Sequence, residues 1–451
     1  MSNMFQEILD KLKYSEKELL IRKSGSAGRT GNERIRSGQS YLYKLRGMES
    51  EVLEVRFFKN VRGDLINQAL SETMKRYPYF NTKFIEKDGD FYIVQNEMSP
   101  VARKTEKLAK LGGIECGYHL IDITYYGKSV YISFHHALCD GRGVKPFVET
   151  LIWYYCRAAY GSAEKAEGIR LAGEALLDGE TADPFMHAYD YDRTKEFISL
   201  PRDAFALPEN TPTDDIINYR FEVKIPHDNF MAVCREHNAT PVILLSLLMS
   251  AAIAEMYPDY DKPINANIAT DMRDALGYPN TFKNCVKSMI LPYEREFAKL
   301  TLRDQATKYR EILAAQRDYD YCRREADTML ALFDRLDSLP SYEEKRSVMA
   351  FFEGMTLNTY IISYLGQFIL GENAKSIESI HLYNSGTTGL GINMISCGEN
   401  FVVDFKQNFK SGKYVDAFLK RLDDWHIEYS AGEAIAFSTP TDKLLKRKDQ
   451  N

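Results

Sequence analysis

The chain has 451 residues, 44% of them hydrophobic, enough for two to three domains of ordinary size with substantial cores. Its 58 basic residues stand against 64 acidic ones, and the net charge of -6 gives no general basis for nucleic-acid binding. Seven cysteines, at positions 116, 139, 156, 234, 285, 322 and 397, are scattered without CxxC spacing and odd in number, which argues against a disulfide framework and for reduced thiols.

The opening stretch MSNMFQEILDKLKY is amphipathic and charged without an apolar core of the signal type, and it reads as the start of a cytoplasmic protein. Residues 22–38 (RKSGSAGRTGNERIRSG) are basic and rich in glycine, so about 1–40 reads as a helical and flexible leader. The other use for such a segment is contact with coenzyme phosphates or an acidic carrier protein. Residues 64–77 (DLINQALSETMKRY) set Leu65, Ile66, Ala69, Leu70 and Met74 along one face of a helix, with Asp64 at its N-cap and Pro78 ending it. The runs TKFIEK and DFYIVQ then flank Asp88-Gly89, a hairpin turn.

Residues 129–134 (SVYISF) alternate as a strand does, and residues 144–159 repeat apolar side chains at helical spacing. Between them lies HHALCDG, residues 135–141, which puts two histidines, a carboxylate and a turn glycine at a strand end. An imidazole with an ordinary pKa of about 6.5 is free near neutral pH to accept a proton from a hydroxyl, amine or thiol, so the pair suits a general base. Asp140 suits orientation of a ring or pairing with a cation, and Gly141 and Gly143 suit a turn that a substrate approaches closely. The plainer alternative is a strand end with two histidines and an ordinary turn aspartate. No metal site is expected, because adjacent histidines on a strand point apart and no His/Cys cluster at zinc spacing accompanies them. Cys139 reads as a small apolar filler rather than an acyl-accepting nucleophile.

Residues 196–217 carry prolines and acidic residues without a sustained period and read as a linker. A fresh pattern follows: a strand at 219–225 (YRFEVKI), a short helix at 228–237, and the uncharged run 240–254 (TPVILLSLLMSAAIA). That run is too short to cross a bilayer and reads as a buried helix, so no membrane span is expected. Residues 300–336 have helical period, and 392–395 with 401–405 form a hairpin around Gly398-Glu399-Asn400. Residues 384–391 (NSGTTGLG) fit neither a P-loop nor a dinucleotide fingerprint and read as a loop into a strand, with contact to substrate as a further role.

HHALCDG matches the His-His-x-x-x-Asp-Gly signature, and the chain resembles the superfamily of chloramphenicol acetyltransferase, the condensation domains of nonribosomal peptide synthetases, alcohol acetyltransferases and the plant BAHD acyltransferases. The phrase RYPYFNTKF, the segment 267–293 with Arg273, and TYIISYLGQF at 359–368 extend the resemblance over about residues 40–430. Tyr364 stands where asparagine is usual in the last of these, and Asp404-Phe405 is followed by Lys406-Gln407 instead of the plant group's Gly-Trp-Gly. The resemblance implies an α/β fold of two similar lobes, each a mixed sheet packed with helices, around a tunnel: residues 1–195, the linker 196–217, and residues 218–451. It implies His136 as the base, with His135, Asp140 and Gly141 structural and Arg273 paired with Asp140; the alternative for Arg273 is a loop cap beside Asp271 and Asp274. Asn284, Ser363 and Gly366 are its candidates for contact with substrate or with the developing oxyanion. The implied function is transfer of an acyl group from a thioester, acyl-coenzyme A foremost, to a small-molecule alcohol or amine, without an acyl-enzyme and without a tightly bound cofactor. Two alternatives stay open: a condensation enzyme served in trans by a carrier protein bearing phosphopantetheine, and a non-catalytic scaffold that keeps the fold.

Overall fold

The computed structural model describes residues 33–44, 50–87, 90–161, 164–201, 203–209, 217–384 and 389–438. Most of the leader, the Asp88-Gly89 turn, residues 210–216 of the linker and residues 385–388 of the NSGTTGLG stretch lie outside these.

The first half of the chain builds most of a sheet covered by two helices and, beside it, a separate three-stranded sheet made of its first, third and fourth strands. It runs through β1 (Glu33–Arg34), β2 (Ser50–Phe57), α1 (Gly63–Arg76), the hairpin of β3 (Thr82–Lys87) and β4 (Asp90–Gln95), β5 (Arg103–Lys104), β6 (Ile121–Tyr126), β7 (Ser129–His135) and α2 (Gly141–Tyr160). Ile66, Ala69 and Leu70 of α1 pack with Phe147, Val148 and Leu151 of α2 on Leu53, Val55 and Ile132 of the sheet, which is the apolar face expected from their spacing. Arg62 rather than Asp64 is the N-cap of α1, and Asp64 sits in its first turn, where a carboxylate still meets the helix dipole favourably.

The second half builds a larger sheet. β8 (Ile217–Pro226) leads through α3 (His227–Glu236) to α4 (Pro241–Met256), then to β9 (Ile264–Asp271), α5 (Arg273–Leu276) and β10 (Val286–Tyr293). α4 is apolar on all sides and buried, as a helix enclosed by other elements must be. The helical stretch expected over 300–336 divides into α6 (Leu302–Gln316) and α7 (Tyr319–Asp337), because the Asp318 side chain accepts from Tyr321 N and starts a new helix. There follow α8 (Tyr342–Glu353), β11 (Tyr360–Gln367), β12 (Ile377–Asn384), β13 (Leu390–Cys397), β14 (Asn400–Gln407), α9 (Lys413–Asp424), β15 (Ser430–Ala431) and β16 (Ile435–Ser438). The strand order is β10-β9-β11-β13-β14-β8-β15, with β16 also on β8.

Strand pairing departs in one place from a division of the chain at the linker. β12 leaves the second half and pairs antiparallel with β2, giving a first sheet of order β12-β2-β7-β6-β5. The two sheets are joined beside it by buried polar contacts: Arg220 of β8 pairs with Glu54 of β2 at 2.9 Å, and His381 Nδ1 of β12 lies 3.0 Å from Asp404 Oδ1 of β14. Among the described residues, no single helix is long and apolar enough to cross a membrane.

Candidate functional site

The site begins where β7 runs out. His135 is the last residue of the strand, and its carbonyl accepts from Leu138 N at 2.8 Å and Cys139 N at 3.2 Å, a tight turn that delivers the chain to α2. Asp140 is the N-cap of that helix and accepts from Gly143 N at 2.8 Å. Gly143 is required by space, since a Cβ there would lie 1.9 Å from the carbonyl oxygen of Phe282.

Asp140 is fully buried, and both its oxygens are satisfied. Oδ1 also accepts from Arg273 Nη2 at 2.8 Å, and Oδ2 accepts from Cys285 N at 2.8 Å. Arg273 donates further to the carbonyls of Thr281 at 2.8 Å and Lys283 at 2.6 Å, and to Asp271 Oδ1 at 2.8 Å. Burial opposes the guanidinium charge, but Asp140, Cys285 and Asp271 together outweigh it and hold the Arg273 pKa above its ordinary value. The clamp therefore ties the motif turn to the segment after β9.

The two histidines have different surroundings. His135 turns inward, accepts from Ala137 N at 3.0 Å, and meets the Phe84 ring edge-on at 5.0 Å. Burial, with the nearby charges of His136 and Lys110, pushes it down to about 3, so it is neutral at ordinary pH. His136 lies on the wall of a cavity of about 1080 Å³ between the two sheets. Its Nδ1 is 3.3 Å from Cys139 O and 3.4 Å from Asn284 Nδ2, and its Nε2 is 3.2 Å from Glu51 Oε1. With Nδ1–H donating to Cys139 O, Nε2 carries the lone pair; with Nδ1 accepting from Asn284, Nε2–H donates to Glu51. The Tyr41 ring lies tilted against the imidazole, with centroids 4.4 Å apart.

Residues 34–41, partly read as flexible leader, are instead fastened across the motif. Arg36 bridges Asp334 at 2.5 Å and Asp337 at 2.6 Å, and Ser37 Oγ donates to Asn284 O at 2.6 Å. Gly38 has φ +69° and passes so close that a Cβ would lie 2.2 Å from His136 O. The basic composition that suggested mobility supplies the ion pairs that fix this segment.

Of the residues singled out from the sequence, His136, Gly141, Arg273, Ser363 and Gly366 line the cavity. Gly366 has φ +69° where β11 breaks register with β13. His135 and Asp140 stand behind the wall. Asn284, expected at the substrate, is also not among the lining residues, because its amide donates to His136 O at 3.0 Å and its Oδ1 accepts from Val286 N at 3.1 Å. Cys139 is fully buried, and burial followed by the charge of Asp140 pushes its thiol well above the usual range, which removes the thiolate a nucleophile needs.

Among the polar residues of the wall that the sequence did not single out are Glu51, Asn267 and Lys406, and with them stands Asn384, the first residue of the stretch expected to contact substrate. Asn384 Nδ2 donates to Glu51 Oε1 at 2.6 Å, and Lys406 Nζ donates to Asn384 Oδ1 at 3.0 Å. Burial, only partly countered by Glu51, pushes Lys406 down to about 7. The one available signal was the polar start of NSGTTGLG, where Asn384 ends β12.

No family model matches the chain, and no curated protein does. Solved structures do. TRI3, a trichothecene 15-O-acetyltransferase from Fusarium sporotrichioides, aligns with a TM-score of 0.56 at 12% identity over 89% of this chain and 96% of that one. TRI101 of F. sporotrichioides, complexed with coenzyme A and T-2, gives 0.53 at 14% identity over 88% and 99%. The condensation domain of the Monacolin K polyketide synthase MokA gives 0.52 at 14% identity over 88% and 97%. The chain has the acetyltransferase and condensation-domain fold. Within that fold, His136 and Gly141 of HHALCDG line the cavity between the two sheets, and the β12 crossover, the Asp140–Arg273 clamp and the 34–41 strap each tie one half of the chain to the other.

Proposed function

We propose that the protein is an acyltransferase that moves an acyl group from a thioester, acyl-coenzyme A foremost, to a hydroxyl or amine acceptor, with His136 as general base. The observation that carries this reading is the placement of His136 on the cavity wall between the sheets, with a ring whose Nδ1–H can donate to Cys139 O and leave Nε2 its lone pair. The acceptor gives its proton to Nε2 as it attacks the thioester carbonyl. The tetrahedral intermediate then collapses, the C–S bond breaks, and the proton passes to the departing thiolate. Transfer is direct, since Cys139 is buried and protonated. The Ser363 hydroxyl is the candidate donor to the developing oxyanion, and Arg142 and Arg170 on the wall supply positive charge for the donor's phosphates.

The likeness to condensation domains favours one second reading, in which the thioester arrives on a carrier protein. Mass-spectrometric detection of acylated product separates the two when acyl-coenzyme A and the same acyl group on a carrier are offered with panels of alcohols and amines. Product from acyl-coenzyme A supports the main reading, and product from the carrier alone supports the second. Product from neither, across broad panels, overturns both in favour of a scaffold that keeps the fold.

A further inference from the structure

The cavity wall beside His136 carries hydrogen-bond acceptors that lack donors among the described residues. Glu51 Oε1 is engaged by Asn384 at 2.6 Å and lies 3.2 Å from His136 Nε2, but Glu51 Oε2 is buried with no hydrogen-bond partner among the described residues. Asn267 Oδ1, on the opposite sheet, is in the same state, while its Nδ2 donates to Ser288 Oγ at 3.0 Å. Both residues line the cavity and are more than nine-tenths buried. A buried carboxylate oxygen without a donor is costly, and a charged donor relieves that cost best.

Resting on the acyl-transfer reading, we propose that the acceptor is a primary amine, bound as its ammonium against Glu51 Oε2 beside His136. An ammonium offers three donors and a positive charge, whereas a hydroxyl offers one donor and no charge. Lys406 Nζ donates to Asn384 Oδ1, and burial lowers its pKa against the attraction of Glu51, so its charge offsets that of the carboxylate only in part. The ammonium first loses one proton, through the His136–Glu51 pair to water. The free amine then attacks the thioester carbonyl, so that a C–N bond forms and the C–S bond breaks, and the second proton passes through His136 Nε2 to the leaving thiolate. Thioester and amine become amide and thiol, with no change of oxidation state.

Calorimetry with n-hexylamine and n-hexanol, equal in length and differing in the head group, tests the subsite without requiring turnover. The wild-type chain is expected to bind the amine at least about tenfold more tightly, and Glu51→Gln to abolish the difference. Equal binding of the two probes by wild type, or an amine preference that survives in Glu51→Gln, overturns the proposal. The wild-type comparison decides even if the variant fails to fold. Thiol release from acyl-coenzyme A with hexanol but not hexylamine overturns the amine proposal and leaves acyl transfer standing. An amine preference in binding without any acyl transfer supports the subsite and removes the reaction.

Discussion

Two buried carboxylates flank the same histidine turn and are treated in opposite ways. Asp140 has every oxygen filled by Arg273, Gly143 N and Cys285 N, and it faces away from the cavity. Glu51 has one oxygen held by Asn384 and one with no partner among the described residues, and it faces into the cavity. The saturated carboxylate is built for rigidity, since removing any partner leaves charge or dipole buried without compensation. The open one has interaction energy left for something that enters.

Arg273→Ala is the largest expected disruption of the closed side. It strands the Asp140 carboxylate in the interior and should cost about 3–5 kcal/mol in urea unfolding; a loss below about 1 kcal/mol would mean that the clamp is not structural. Next comes acid. His135 is held neutral with its pKa lowered from about 6.5 to about 3, so the unfolded chain binds its proton first. The associated stability is full above about pH 6.5 and falls as pH drops toward 3, by about 3 kcal/mol at pH 4. His135→Asn, whose Oδ1 can accept from Ala137 N, should flatten that part of the stability–pH curve, and an unchanged slope would contradict the assignment. Gly143→Ala drives a Cβ into the Phe282 carbonyl and should cost about 1–3 kcal/mol or more, read as lower folded yield and melting temperature. Glu51→Gln is expected to change stability by less than about 1 kcal/mol, because it keeps the shape and removes a carboxylate that is only half satisfied. If that substitution proved as damaging as Arg273→Ala, the contrast between the two carboxylates would collapse.

The closed side was far more legible in the sequence than the open side. HHALCDG announced a strand end, a turn and a helix start through residue type alone, and Arg273 entered through the resemblance although it lies 133 positions from Asp140. Glu51 gave no comparable signal. In SEVLEVRF it falls on the same alternate face as Leu53, Val55 and Phe57, and it is buried at the start of β2 where β12 pairs alongside. The β12 crossover depends on pairing between positions more than 300 apart, such as Leu53 with Leu382, which local periodicity does not encode. Asn284 shows the opposite failure: the right neighbourhood was found, but its amide holds the histidine's backbone instead of substrate. The 34–41 strap was hidden by basic residues whose partners, Asp334 and Asp337, lie on a distant helix.

The central claim is that His136 takes the acceptor's proton, and the rate of thiol release in a single turnover tests it most directly. With enzyme in excess over acyl-coenzyme A and the acceptor saturating, folded His136→Ala should release thiol at least about 100-fold more slowly than wild type. A rate within about twofold of wild type would contradict the claim.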